Sequence, residues 1–380
     1  VSDSVLAHSE LLSQQTIGKK LKIHSEKYGL PDLDGVQLAI IGIKENRNDV
    51  NYIGSELNYN DLRKTLYSLF AGNWHTIIAD LGDIEPGEST EDSYYALRTS
   101  VELLVEKKII PIIIGGSQDL TYANYRAYDN LQPMVNIVNV DTNFDLGDSS
   151  QPIKNNSYLG KIILEEPYNL FNYSTIGYQT YFVSPLAVEM LNNLGFDATR
   201  LGEVKSNIKN LEPVLRNTDF LSFDLSSVSN VFSNANKYSS ANGFNGEEVC
   251  KIFRYAGLSD KLSSLIICEY NQLLDKSGLT SQLISQMIWY FIDGYKSRRN
   301  ELNPNIKNCI KYTVTFEDGK NEIVFYKSNL SSRWWMGVPF KKAENSSLDC
   351  YYVACSYEDY EEANRGEIPS RWIKTYNKLS

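Results

Sequence analysis

The sequence predicts a doubly wound α/β domain that carries a small β-rich appendage at its C-terminal end. Three observations carry that expectation. From about residue 35 to 295, short apolar runs alternate with amphipathic stretches, the rhythm of strands joined by crossover helices. Several of the runs are apolar at every position, as strands covered by helices on both faces require. After Arg299 the pattern changes to strands of alternating polarity.

The elements follow in chain order. Residues 1–34 read as a helical arm, 35–300 as the α/β domain and 305–380 as the appendage. Strands of a mostly parallel sheet are expected at 36–43, 76–80, 109–114, 135–140, 174–177, 220–224 and 265–269. Ala96, Leu97, Val101, Leu104 and Val105 share one face of a helix that ends at Lys107-Lys108. Leu283, Ile284, Met287, Ile288 and Phe291 share a face of another, opened by Thr280 or Ser281 and stopped near Gly294. In the appendage, 312–316 and 322–326 read as two strands joined by an Asp318-Gly319 turn, with a third at 350–355.

Composition narrows the function. The chain has 380 residues, 42% hydrophobic and 22% charged, enough for one large core and an appendage. A net charge of −10 argues against a nucleic-acid partner, which needs concentrated Lys and Arg. The longest apolar run, 109–114, falls far short of the roughly 20 residues of a membrane helix. The polar N-terminus lacks the basic and apolar regions of a signal peptide. Cys250 and Cys268 read as small buried hydrophobes. Cys350 and Cys355 could reach one another or a metal, but no second Cys or His pair accompanies them. The expectation is a cytoplasmic, reduced chain.

In an open parallel sheet, ligands bind beyond the carboxyl ends of the strands. Three predicted strands end in polar clusters: Gly115-Gly116-Ser117-Gln118-Asp119, Asp141-Thr142-Asn143-Phe144-Asp145 and Ser222-Phe223-Asp224-Leu225-Ser226. An Asp after a strand is ordinarily a turn or cap residue. Three such clusters favour a shared cleft, where Asp141, Asp145 and Asp224 would repel unless a cation, a proton or a basic side chain sits among them.

These clusters resemble the motifs of the ureohydrolase family of arginases, agmatinases and formimidoylglutamases, which read Gly-Gly-Asp-His-Ser, Asp-Ala-His-x-Asp and Ser-x-Asp-x-Asp. The segment Gly243-Phe244-Asn245-Gly246-Glu247-Glu248 resembles the family's Gly-Leu-Thr-x-x-Glu. Glu269-Tyr270-Asn271, with Asp275, resembles Glu-Val-Asn-Pro-x-x-Asp. The nearest likeness is to formimidoylglutamase-like proteins with a C-terminal extension. The resemblance implies an arginase-type sheet and two manganese ions held by six side chains, which fall here on Gln118, Asp141, Asn143, Asp145, Asp224 and Ser226.

Three of those six positions depart from the family pattern, and all the imidazoles are gone. Asn and Gln oxygens are neutral, weak ligands for transition metals. His8, His24 and His75 lie outside the motifs and read as structural. No manganese cofactor is therefore expected; the all-oxygen set could hold Mg²⁺ or Ca²⁺ weakly, through Asp141, Asp145 and Asp224. No catalytic residue is assigned, and Glu248 and Glu269 are candidate ligand-cleft residues. Arg333, Trp334, Trp335, Phe340 and Trp372 are of types enriched at interface hot spots, or else form the core of the small β module. The expected protein is a non-catalytic, ureohydrolase-fold binding or structural subunit with a protein partner or a second copy of itself. The alternative is a divergent C–N hydrolase acting on a linear amidine or guanidine with an atypical metal site.

Overall fold

The computed structural model describes all residues except 53, 55, 133, 149, 317–320 and 342–347. Nine parallel strands form one sheet: β1 (Lys22–Ile23), β2 (Leu38–Ile43), β3 (Ile78–Ile84), β4 (Ile110–Ile114), β5 (Val135–Val140), β6 (Leu170–Tyr178), β7 (Asp197–Arg200), β8 (Phe220–Asp224) and β9 (Ser264–Cys268). Their spatial order is β1-β3-β2-β4-β9-β8-β5-β6-β7. The jump from β4 to β5 leaves room for β9 and β8 between them, and four strand ends therefore meet at the sheet's centre.

The apolar runs become strands because both faces are covered. Ile112 and Ile114 of β4 join one core, with Phe253 and Ile284 from the helices Gly246–Leu258 and Leu279–Lys296. Ile113, between them, joins the opposite core with Leu97 and Val101 of the helix Thr90–Glu106. Alternate side chains of a strand point to opposite faces, so continuous hydrophobicity is what two buried faces demand. Ser89 and Asp92 form a capping box at the start of the helix Thr90–Glu106, which ends just before Lys107-Lys108, as expected.

Gly294 lies close to the end of its helix at Lys296, as expected. It lies where that helix crosses Gly246–Leu258, and a Cβ there would meet the Arg254 carbonyl oxygen at 2.3 Å. The glycine serves close packing. The N-terminal arm is also not wholly helical. After the helix Asp3–Glu10, β1 pairs with β3 and extends the sheet.

The appendage is an antiparallel sheet of four strands in order: β10 (Cys309–Phe316), β11 (Asn321–Ser328), β12 (Trp334–Lys341) and β13 (Leu348–Cys355). The predicted Asp318-Gly319 turn lies outside the described residues. Two helices, Tyr357–Asn364 and Ser370–Leu379, follow the sheet. Cys350 and Cys355 are five residues apart on one strand and so point to opposite faces. All five cysteines are free, and Cys250, Cys268 and Cys355 are buried. Among the described residues no helix is long and apolar enough to cross a membrane.

Of the two readings of the C-terminal aromatics, packing within the chain accounts for most positions. Trp334 sits in the appendage core, its ring 5.2 Å from both Tyr312 and Tyr360. Trp335 is buried against the Arg216 guanidinium, 4.7 Å away, while Arg333 pairs with Asp260 at 2.9 Å. These residues dock the appendage onto its own α/β domain. Trp372 stacks on Tyr376 and donates to the Gly337 carbonyl at 3.0 Å, and Phe340 is half-buried on β12. Small β modules bury little area, so they spend their large side chains internally.

Candidate functional site

The central strand ends hold the predicted clusters together. Gly115-Gly116 ends β4 in a turn that only glycine permits, because a Cβ on Gly116 would lie 2.1 Å from the Glu45 carbonyl oxygen. That turn is locked by the Glu269 amide donating to the Gly116 carbonyl at 2.6 Å, which ties β4 to β9. Beyond the turn, Gln118 is buried and its backbone amide donates to Glu269 Oε1 at 3.0 Å.

Asp141 leaves β5 and Asp224 leaves β8, its neighbour. Both the turn reading and the cleft reading of these residues hold. Asp141 Oδ1 accepts from the Asn143 amide at 3.0 Å, and Asp224 Oδ1 accepts from the Ser226 amide at 2.6 Å. Asp224 and Asp145 line a cleft of about 380 Å³, and the Asp141 charge acts on both. Val50, Phe144, Phe182 and Val183 give the cleft an apolar wall, and no Lys or Arg is among its described lining residues.

Electrostatics follows from that imbalance. Burial, then the Asp141 charge and a carboxyl–carboxyl hydrogen bond with Asp141, pushes the Asp145 carboxyl well above the usual carboxylate range. Burial, Asp141 and Glu269 do the same to Asp224. Glu269 is pushed up to about 8 by burial, although Asn155 and the Gln118 amide donate to it. Asp145 and Glu269 also hold left-handed backbone, at φ 49° and 64°, a conformation that costs an L-residue roughly 1–2 kcal/mol. Strain and perturbed acidity together mark a functional cleft more often than a structural one.

The replaced positions are tied up internally. Gln118 Nε2 donates to Asn139 Oδ1 at 3.0 Å, Asp141 Oδ2 at 3.1 Å and the Tyr158 hydroxyl at 3.3 Å. Asn143 Nδ2 donates to Thr142 Oγ1 at 3.1 Å, and the Ser226 hydroxyl lies 3.4 Å from the same oxygen. A side-chain amide or hydroxyl offers a metal only a neutral oxygen, a weak donor for manganese beside the imidazoles and carboxylate it replaces. The donor set does not fit a pair of manganese ions. Among the described residues no group of three or more His, Cys, Asp or Glu side chains is arranged to hold an ion, the Asp141, Asp145 and Asp224 trio included.

Glu248 is not in the cleft. It forms a capping box with Asn245 at the start of its helix, both bonds 2.8 Å, and pairs with Lys205 at 3.3 Å. A Glu three residues after Asn is a capping signature, which was legible in Asn245-Gly246-Glu247-Glu248. His8 bonds Ser68, His24 bonds the Leu81 carbonyl and His75 is exposed; none lines the cleft. Sequence reading missed Asn139, Asn155, Tyr158 and Tyr238. Tyr238 donates to Asp49 Oδ1 at 2.5 Å and accepts from Asn155 Nδ2 at 3.2 Å, closing one side of the cleft. Only the hidden polar position Asn139, inside an apolar strand, carried a local signal.

A parallel nine-stranded sheet with carboxylates at its central strand ends defines the arginase-type α/β class. The Arginase family model matches residues 37–293, and the chain belongs to that family. It is 24% identical over 286 residues to a formimidoylglutamase of Streptococcus gordonii, covering 69% of this chain and 85% of the relative. A Geobacillus formimidoylglutamase is 25% identical over 289 residues, covering 70% and 87%. Among solved structures, the manganese-bound formiminoglutamase of Trypanosoma cruzi superposes with a TM-score of 0.64 at 20% identity, covering 70% of this chain and 96% of that one. The agmatine ureohydrolase of Thermoplasma volcanium gives 0.59 at 20% identity, covering 77% and 98%. At these identities the structural likeness speaks for the fold.

Proposed function

We propose that this chain is a non-hydrolytic member of its family, a binding protein whose strand-end cleft takes a small organic cation of amidinium or guanidinium type. One observation carries the reading: Asp145 and Asp224 line a cleft with no described basic residue in its wall, and the charges of Asp141 and Glu269 bear on both. A planar cation would supply both the charge and the N–H donors that the carboxyls need. Phe144 and Phe182 would pack on its aliphatic part. The hydrogen-bonded Gln118, Asn143 and Ser226 support binding without the family's metal chemistry. As a binding subunit it would act with a protein partner or a second copy of itself.

Calorimetric titration of agmatine and of guanidinium in the presence of EDTA tests this. Saturable binding is expected, strengthening as pH rises and Asp145 and Asp224, held above the ordinary carboxylate range, lose their protons to solvent. Release of urea, formamide or ammonia in a parallel screen of arginine, agmatine and formimidoylglutamate would overturn it. That result would establish the second reading, a divergent C–N hydrolase. Its support is the formimidoylglutamase relatives and the three family carboxylates still in place.

A further inference from the structure

The two edges of the appendage sheet differ in what covers them. At β13 the Cys355 carbonyl accepts from Arg216 at 3.0 Å and the Ala354 carbonyl accepts from Arg371 at 3.4 Å. The Tyr351 ring there lies 5.9 Å from Phe171 of β6. At β10, the other edge, every residue pairs with β11 without a bulge, and among the described residues nothing hydrogen-bonds to the outer side. Cys309–Phe316 holds no Pro or Gly and a single charge, Lys311. Folded proteins ordinarily blunt so long an edge with such devices, because it is a template for another strand.

The ladder fixes which groups face outward. The Asn329 amide donates to the Asn308 carbonyl at 3.0 Å, which continues the Cys309–Ser328 register by one pair. Hydrogen-bonded pairs alternate along an antiparallel ladder, so residues 310, 312, 314 and 316 exchange bonds with β11. Lys311, Thr313 and Thr315 therefore turn their N–H and C=O to the open side. Side chains alternate with the same period: Tyr312, Val314 and Phe316 point into the appendage core, while those of Lys311, Thr313 and Thr315 are exposed.

A strand that pairs antiparallel with its own copy about a twofold axis sets one residue opposite itself. Centred on Thr313, β10 overlaps its copy over residues 310–316, and its outward groups meet outward groups. A centre at Lys311 shortens the overlap to 309–313 and opposes two ammonium groups. The Thr313 register also brings opposite charges into line. Lys311 stands against the partner's Thr315, and Thr315 is itself opposite Glu322 on β11, so Lys311 and the partner's Glu322 share one row on the exposed face. Two strand spacings of about 4.8 Å separate them, within reach of an extended lysine and glutamate. Both residues are exposed, and neither has an ion-pair partner among the described residues. On the core side Ile310, 45% exposed, meets the partner's Phe316, and Tyr312 meets the partner's Val314, so the apolar layer continues across the junction.

We propose that β10 is a dimerisation edge, pairing antiparallel with β10 of a second copy about Thr313 and joining the two appendages into one eight-stranded sheet. This selects the second copy from the two kinds of partner named above, and it is tested without the cleft's ligand. Sedimentation equilibrium of the full chain over about 1–200 µM should show the mass rising from 43.2 kDa toward twice that value. A dissociable dimer is expected because a strand edge buries less than the roughly 1,600 Å² of a standard interface. Thr313→Pro removes an outward N–H and none of the bonds to β11, and should keep the chain monomeric. Lys311→Glu should weaken the dimer by about tenfold, and adding Glu322→Lys should restore it to within about threefold. A monomer at every concentration, a dimer indifferent to Thr313→Pro, or a charge reversal that Glu322→Lys does not rescue would overturn the proposal. Should Thr313→Pro misfold, the charge-reversal pair decides alone. Agmatine titration of the same variants reports on the cleft separately, so failure of the dimer leaves the binding reading standing.

Discussion

Two buried groups of carboxylates in one sheet meet opposite fates. Within β3, Asp80 is fully buried with Arg63, which pairs with it at 2.9 Å and with Asp83 at 2.7 Å. Tyr67 and the Gly82 amide complete the Asp80 hydrogen bonds, at 2.8 Å and 2.9 Å. At the ends of β5, β8 and β9, Asp141, Asp224 and Glu269 are buried and Asp145 is half-buried, with no described guanidinium or ammonium among them. The difference separates structure from function. A carboxylate kept for architecture carries its counter-ion within the chain. On the proposed reading, one kept for a ligand has no counter-ion within the chain.

The largest expected effect tests the first group. Arg63→Met leaves Asp80 buried without a counter-charge and should cost about 3–5 kcal/mol in denaturant unfolding. A loss below about 1 kcal/mol would erase the contrast between the two groups.

The second group should set how stability varies with pH. Glu269 is raised in the folded chain from an ordinary value of 4.5 to about 8. An acid raised by folding contributes its full stability below the unfolded value and loses it as pH climbs through the folded one. Between pH 4.5 and 8 the protein should therefore lose stability with rising pH, by up to about 1.4 kcal/mol per unit for this one proton. Glu269→Gln should flatten that slope, and an unchanged slope would show that Glu269 is not its source.

Asp145→Asn keeps the shape of the side chain while removing an uncompensated acid. It should raise stability at pH 8 by about 1–2 kcal/mol and abolish agmatine binding. A destabilised variant would mean that Asp145 already has a counter-charge in the folded chain. The smallest effect belongs outside the cleft. Glu248→Gln should leave agmatine affinity unchanged and cost at most about 1 kcal/mol, as expected for a helix cap.

Much of this was legible in the residues. The seven predicted strands form because runs such as 109–114 and 135–140 carry their burial on both faces in their own composition. β1 and β7 were not legible: two and four residues long at the sheet edges and only partly buried, they have no apolar run to read. The appendage's closing helices were missed as well, since their faces are defined by the sheet and the domain they cover. In the cleft, the motif positions Gln118, Asp141, Asp145 and Asp224 come together as the strand-end rule requires. Asn155 and Tyr238 arrive from distant loops, and nothing local foretells their contact with Asp49 and Glu269. Glu248 and Trp334 went the other way, because a cap and a small core use the same residue types as a site.

The most direct test of the central claim is the metal content of the full chain after dialysis against manganese. The arrangement of Gln118, Asn143 and Ser226 predicts no stoichiometric manganese. Two ions per chain, lost on Asp141→Ala, would contradict it.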